Sequence, residues 1–211
     1  MSTAWSAAAS AQTDIRVQVV AGDPLVDRAT EIYREMLTAA GVDRAEAAQP
    51  PQERPAGRTS FHVAVDATGT ALGVVHATFG SLEQLDIASL IDVEEHLPGP
   101  ICECPSIAVL PEAAGRGVTE LLYRSVYCFA RRQGANSLAA MVDPLTLELF
   151  REDYGIMFRA LGPVTSHLGF ETLVAGGEIS ILEAELRRLR PDFFEFLVEP
   201  LSASELARFG L

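Results

Sequence analysis

The chain has 211 residues, 48% of them apolar, and a formal charge of −13. That length and apolar share suit one domain with a proper core, and so acidic a balance argues against nucleic acid or an anionic membrane surface as partner. All 16 basic residues are arginine, so lysine chemistry such as Schiff-base formation is excluded.

Met1–Gln12 is rich in Ala and Ser, with neither a basic start nor an apolar run, and reads as a disordered tail, not a signal peptide. Asp14–Val20 alternates like a half-buried strand. Asp23-Pro24 opens a helix to about Ala40, with Ala29, Ile32, Tyr33, Met36 and Leu37 on one face. Gly41–Ser60, with Pro50, Pro51 and Pro55, reads as a long loop. Phe61–Val65 and Ala71–Thr78 flank a polar turn at Asp66–Gly69 and form a hairpin. Phe79–Pro100 is irregular, with a short helix near Leu85–Leu90.

Ile101–Leu110 is the expected central strand. Pro105 inside it removes a ladder donor, so a bulge is expected that splays the strand from its neighbour and opens a slot. Val118–Gln133 is an amphipathic helix with Val118, Leu121, Leu122, Ser125, Val126 and Phe129 inward. Then come a strand at Ser137–Val142, a helix at Pro144–Asp153, a strand at Ile156–Leu161 and an extended return at Gly162–Ala175. A helix over Glu178–Arg190, with Ile179, Leu182, Leu186 and Leu189 inward, stops at Pro191; the aromatic segment around Phe193, Phe194 and Phe196 follows. The expected organisation is a tail at 1–12, one α/β domain over 13–199 and a C-terminal tail at 200–211.

The three cysteines (Cys102, Cys104, Cys128) are too few for a disulfide framework, which points to a reducing cytoplasm. No apolar stretch is long enough for a membrane span. No CxxC or paired histidines supply metal ligands, and no metal is expected.

The chemistry concentrates at Glu103–Thr119. A strand bearing one acid runs into a glycine turn that opens a helix. Backbone N–H groups and the positive helix end at such a turn hold phosphate or pyrophosphate. Gly115 and Gly117 permit positive φ and close approach, and Arg116 adds a cation. A strand carboxylate beside this cradle suggests a transferase with a nucleotide-tailed or phosphopantetheine-tailed donor; an ordinary glycine-rich strand-to-helix turn is the plainer reading.

Four segments carry a resemblance: ECPSIAV at Glu103–Val109, EAAGRG at Glu112–Gly117, Leu161-Gly-Pro163 followed by His167-x-Gly169, and RRLRPDFFEF at Arg187–Phe196. They are similar to the GNAT acyltransferase superfamily, and within it to the branch of acyl-carrier-protein-dependent N-acyl amino acid synthases and acyl-homoserine-lactone synthases. The resemblance spans roughly Asp23–Glu199. It departs from the pattern at Glu112, where the turn has Arg or Gln, at Pro105-Ser106, where the strand has Ser-Arg, and near Thr165, where a tyrosine acid is expected.

The resemblance implies the GNAT fold, a mixed, mostly antiparallel sheet flanked by helices. It implies transfer of a fatty acyl group from acyl-CoA or acyl-ACP (a phosphopantetheine thioester) to a primary amine of an amino acid or small peptide. The pantetheine arm would lie along Ile107, Ala108, Val109 and Leu110, with its phosphates at Ala114, Gly115, Arg116, Gly117, Val118 and Thr119. Glu103 would accept the amine proton; its plainer reading is a structural acid, capping or paired with Arg124 or Arg159. Tyr154 is a candidate proton donor to the thiolate and His167 an acceptor-site residue, each also readable as structural. Arg124, Arg131 and Arg132 could meet an acyl carrier protein or CoA phosphates, or form a solvated face. Phe193, Phe194 and Phe196 could line an acyl tunnel or be core. A GNAT-shaped protein that binds an acyl thioester or carrier without turnover is the alternative.

Overall fold

Valine and alanine are the commonest residues of the segments that pair. Nine strands and six helices form among the residues described by this computed structural model: 14–20, 24–39, 58–92, 95–105, 107–167 and 170–211. The expected tail at 1–12 and residues 41–57 of the expected loop lie outside them.

Strand β1 (Arg16–Val20) pairs antiparallel with β2 (Arg58–Val65), which pairs antiparallel with β3 (Ala71–Gly80). The loop expectation therefore ended too late, because Arg58–Ser60 already belongs to β2. At the hairpin turn Asp66 Oδ1 accepts from the Thr68 and Thr70 amides, each at 2.9 Å, and Gly69 takes φ +86°. Helix α1 (Pro24–Ala39) buries Ala29 and Ile32 in the core.

Between β3 and the middle of the sheet the chain makes two 3₁₀ turns, Leu82–Gln84 and Asp86–Ser89, in place of the single short helix expected. Strand β4 (Ile101–Cys104) then lies between β3, antiparallel, and β6 (Ser137–Val142), parallel. The expected strand Ile101–Leu110 is interrupted: pairing stops at Pro105 and resumes as β5 (Ile107–Val109) against β3. Glu103 faces Thr78 and Ile107 faces Val75, so four steps along this strand oppose three along β3.

Helix α2 (Val118–Gln133) matches its expected limits. It starts at Gly117 and ends at Gly134, both with positive φ. Its Leu122 is fully buried, contributing about 2 kcal/mol. Helix α3 (Pro144–Glu152) is capped by Asp143, whose side chain accepts from the Thr146 amide at 2.9 Å. The expected strand Ile156–Leu161 shrinks to β7 (Arg159–Ala160), and the return segment divides into β8 (Thr165–His167) and β9 (Phe170–Glu178). The sheet order is β1-β2-β3-β4-β6-β9-β7, with β5 on β3 and β8 on β9. The result is the expected mixed, mostly antiparallel sheet.

Helix α4 (Ile179–Leu189) buries Ile179, Leu182 and Leu186 but leaves Leu189 38% exposed, against expectation. Helix α5 (Pro191–Val198) begins at the proline that ends α4, where a missing N–H costs nothing. The segment expected as a C-terminal tail carries α6 (Ala203–Phe209), started by a Ser202/Glu205 capping box. Arg132 fixes it to α2 through Glu205 at 2.7 Å.

Candidate active site

Beyond Cys104 the pairing of β6 with β4 ends, while β6 continues through Met141 and Val142. On the other side of this gap β5 pairs only with β3. Leu110 donates its N–H to Leu72 O at 2.9 Å. Since amide direction alternates along a strand, Ala108 also points at β3, and the Ile107 and Val109 amides point into the gap. A cavity of about 890 Å³ opens here. Cys104, Pro105, Ile107 and Tyr123 border it near the gap, and it follows β6 past Ala140 to Leu138, beneath α2 and α4.

The chain after β5 makes a 3₁₀ turn at Pro111–Ala113 and reaches α2 through Gly115 (φ +75°) and Gly117 (φ +76°). A side chain on Gly115 would meet nothing within 4 Å, so glycine is needed there for conformation and not for space. The first-turn amides of α2 have no helical acceptor, and Ala114, Gly115 and Arg116 are exposed. Gly73 lets β3 come close: a Cβ there would lie 2.9 Å from Ala108 O and from Val118 Cγ1. The sequence-expected donor residues Ile107–Leu110 and Ala114–Thr119 thus form one continuous edge from the gap to the helix start. Glu112 is exposed within the preceding turn.

Glu103 is on the opposite face of β4 from Cys104. It is 1% exposed, and its carboxylate accepts from two main-chain amides, Asp86 N at 3.0 Å and Ile87 N at 3.1 Å. These amides begin the Asp86–Ser89 turn, so Glu103 serves it as a cap. The arginines weighed as its partners are engaged elsewhere: Arg159 with Glu95, Arg124 with Glu199. His76 of β3 shares this face, two residues from Thr78, the register partner of Glu103. Burial pushes its pKa below the ordinary 6.5, against the opposing charge of Asp86, so it is a neutral base at pH 7.

Tyr154 donates its hydroxyl to Glu120 Oε1 at 2.9 Å and packs on Tyr123 and Phe193. Burial, and then Glu120, push its pKa well up. Tyr154 is not among the cavity-lining residues, whereas Tyr123 is. His167 ends β8, and its side chain lies outside the described part of the molecule. Burial pushes Cys102 up to about 12 and Cys104 well above the ordinary thiol value, which disfavours a thiolate nucleophile.

Two readings left open by the sequence are decided by contacts. Arg124, Arg131 and Arg132 do not form an open basic face, because the C-terminal segment occupies them. Arg124 pairs with Glu199 and lies 4.4 Å over the Phe196 ring; Arg131 donates to Phe209 O at 2.8 Å; Arg132 holds Glu205. Phe193 and Phe194 are core and do not line the cavity, and Phe196 packs on Phe193. Among the described residues no group of three or more His, Cys, Asp or Glu is disposed to hold a metal, and no helix is long and apolar enough to cross a membrane.

Sequence reasoning missed His76, Tyr123, Tyr127 and Glu183. His76 carries no motif and gains its setting only from the β3–β4 register. Tyr127 and Glu183 are both buried and line the cavity; a charged residue amid the inward positions of α4 was their one available signal.

No family model matches the sequence, and no curated protein matches it. Solved structures do. FeeM, an N-acyl amino acid synthase from uncultured soil microbes, superposes with a TM-score of 0.62 at 14% identity, over 82% of this chain and 96% of that one. BjaI, a CoA-dependent acyl-homoserine lactone synthase solved with SAM and isopentyl-CoA, gives 0.63 at 16% identity, over 93% and 99%. TofI in its apo form gives 0.59 at 18% identity, over 84% and 99%. The architecture of this chain is therefore the GNAT fold, in the form it takes in an N-acyl amino acid synthase and an acyl-homoserine lactone synthase.

Proposed function

We propose that the chain is an N-acyltransferase that moves a fatty acyl group from a pantetheine thioester, on CoA or an acyl carrier protein, to a primary amine of an amino acid or small peptide. One observation carries this reading: an apolar cavity opens where β6 loses its partner, beside outward-pointing strand amides that lead directly to a glycine turn and a helix start. The thioester arm would lie along Ile107–Leu110, with its phosphates at Ala114–Thr119 and Arg116 as the cation. The acyl chain would run into the cavity. That the fold is shared with FeeM and BjaI supports the same reading.

In the reaction the amine nitrogen attacks the thioester carbonyl carbon. The developing oxyanion accepts from one of the outward amides, that of Ile107, a fixed donor in a low-dielectric gap, and the Val109 amide two residues on is left for the pantetheine arm. Collapse breaks the carbon–sulfur bond and expels the thiolate. The amine proton passes to Glu103 through water, or to neutral His76 on the same face. Tyr154 would protonate the thiolate by turning from Glu120, and His167 would lie on the acceptor side.

A second reading, an acyl-thioester binding protein without turnover, is favoured by the engagement of both named catalytic side chains, Glu103 with main-chain amides and Tyr154 with Glu120. Mass spectrometry after incubation with matched acyl-CoA and acyl-carrier donors and a panel of amines separates the two. Free thiol with an amide product is the expected result and names the donor. Bound donor with no product across the panel would replace the first reading by the second.

A further inference from the structure

The cavity is not apolar throughout. Beneath α2 and α4, one helical turn along α2 from Tyr123, Glu183 is 6% exposed and lines the wall with Tyr127, Leu186 and Leu197. Tyr127 donates its hydroxyl to Glu183 Oε1 at 2.6 Å. Arg131 Nε lies 3.2 Å from the same oxygen but makes no hydrogen bond, so that contact is Coulombic. Both contacts fall on Oε1; Oε2 accepts no hydrogen bond from the described residues. The lining around this carboxylate, from Ala140 to Leu138 and across to Ile179 and Leu182, is hydrocarbon.

Burying a carboxylate beside an apolar ligand is costly unless the ligand completes its hydrogen bonding. A saturated chain end would desolvate Oε2 and offer nothing in return. A hydroxyl near the chain end would donate to Oε2, a bond to a charged acceptor and so among the stronger kinds. The charge balance selects a neutral donor: Arg131 already offsets Glu183, and an ammonium would leave the pocket with an uncompensated buried positive charge.

From this geometry we infer that the cavity selects acyl chains bearing a hydroxyl at or near the end remote from the thioester, with Glu183 as the acceptor and Tyr127 orienting it. The inference rests on the acyl-channel reading above and adds the class of chain.

The test is calorimetric binding of decanoyl-, dodecanoyl- and tetradecanoyl-pantetheine and their ω-hydroxy counterparts to the full chain. Pantetheine is common to both donor types, and binding does not depend on turnover. At the best-fitting length the ω-hydroxy thioester is expected to bind about tenfold tighter, the scale of one hydrogen bond to a charged group. Glu183→Gln, which keeps an acceptor for Tyr127, should cut that preference to about threefold or less, and Tyr127→Phe should weaken it with the fold intact by circular dichroism. If both series bind equally at every length, or the preference survives in Glu183→Gln, the hydroxyl assignment is overturned while the channel stands. If neither series binds, the channel reading fails and this inference with it.

Discussion

Two carboxylates are buried in this molecule, and they are held in opposite ways. Glu103 is fixed by the main chain, through the Asp86 and Ile87 amides. Glu183 is fixed by side chains, the Tyr127 hydroxyl and the Arg131 guanidinium. Main-chain donors cannot be substituted away, and they tie the acid to the path of the backbone; Glu103 thereby sets where the 82–89 segment crosses the sheet. Side-chain partners can be replaced, and here they leave one oxygen of Glu183 without a hydrogen bond. Burial is therefore a poor guide to role: the more buried acid is the more structural in its contacts, whatever part it also takes in proton transfer.

The sharpest way to break this comparison is to remove each acid and seek a rescue. Glu103→Leu leaves two buried amides without acceptors, at about 1–3 kcal/mol each, so chemical denaturation should show a loss of roughly 4 kcal/mol. Substituting the side chains of Asp86 or Ile87 should not recover it. Glu183→Leu strands Arg131 and should cost about 3 kcal/mol. In this case Arg131→Leu together with Tyr127→Phe in the same chain should recover most of the loss, since a buried polar cluster can be exchanged whole for apolar residues at little cost. Rescue of the Glu103 variant, or none for Glu183, would erase the distinction.

His62 extends the contrast to a group buried neutral. It is 0% exposed on the α2 side of the sheet, between Ser60 Oγ at 3.0 Å and Ser125 Oγ at 2.7 Å, and burial lowers its pKa from 6.5 to about 4. The unfolded chain takes up a proton below pH 6.5 while the folded chain resists until about 4. Stability is thus full above the unfolded value and falls as pH drops towards the folded one. Between about pH 7 and 5 the loss should be about 2 kcal/mol, before most carboxylates protonate. His62→Gln should reduce the slope in that window to the part that His76, also held below its ordinary value by burial, contributes. A profile already flat in the parent chain would contradict the burial of His62.

Much of the fold was legible in the sequence, for reasons that particular elements make plain. Val118–Gln133 has a 3.6-residue apolar rhythm closed by glycines, and Ser137–Val142 is a short apolar run; both occur at their expected limits. β7 was overestimated because Ile156 and Phe158 are apolar for packing against α3 and not for pairing. The site was legible where it is made of backbone, at the strand break and the glycine turn. It was not legible where it depends on side chains far apart in sequence. The cap on Glu103 comes from residues 16 and 17 positions away, and the Tyr127–Glu183 bond spans 56. The arginines of α2 looked free because their partners come 70 or so positions later, Glu199 and Phe196 for Arg124, and Glu205 and Phe209, in the segment read as a tail, for Arg132 and Arg131.

Two glycines separate backbone strain from function at the smallest scale. Gly115 (φ +75°) and Gly134 (φ +80°) both sit in the left-handed region, and a Cβ added at either would meet nothing within 4 Å. Alanine at either should therefore cost only the conformational penalty, about 1 kcal/mol, read as a small and equal shift in denaturation midpoint. Gly134 ends α2 with its N–H on Ala130 O and Arg131 O, far along the helix from the turn after β5. If the Ala114–Thr119 turn holds the donor phosphates, Gly115→Ala should weaken acyl-CoA binding severalfold while Gly134→Ala leaves it unchanged, by the same titration. Equal effects on binding would reduce the turn to a helix start, and the phosphate assignment would fall while the cavity assignment, which rests on β5 and β6, would remain.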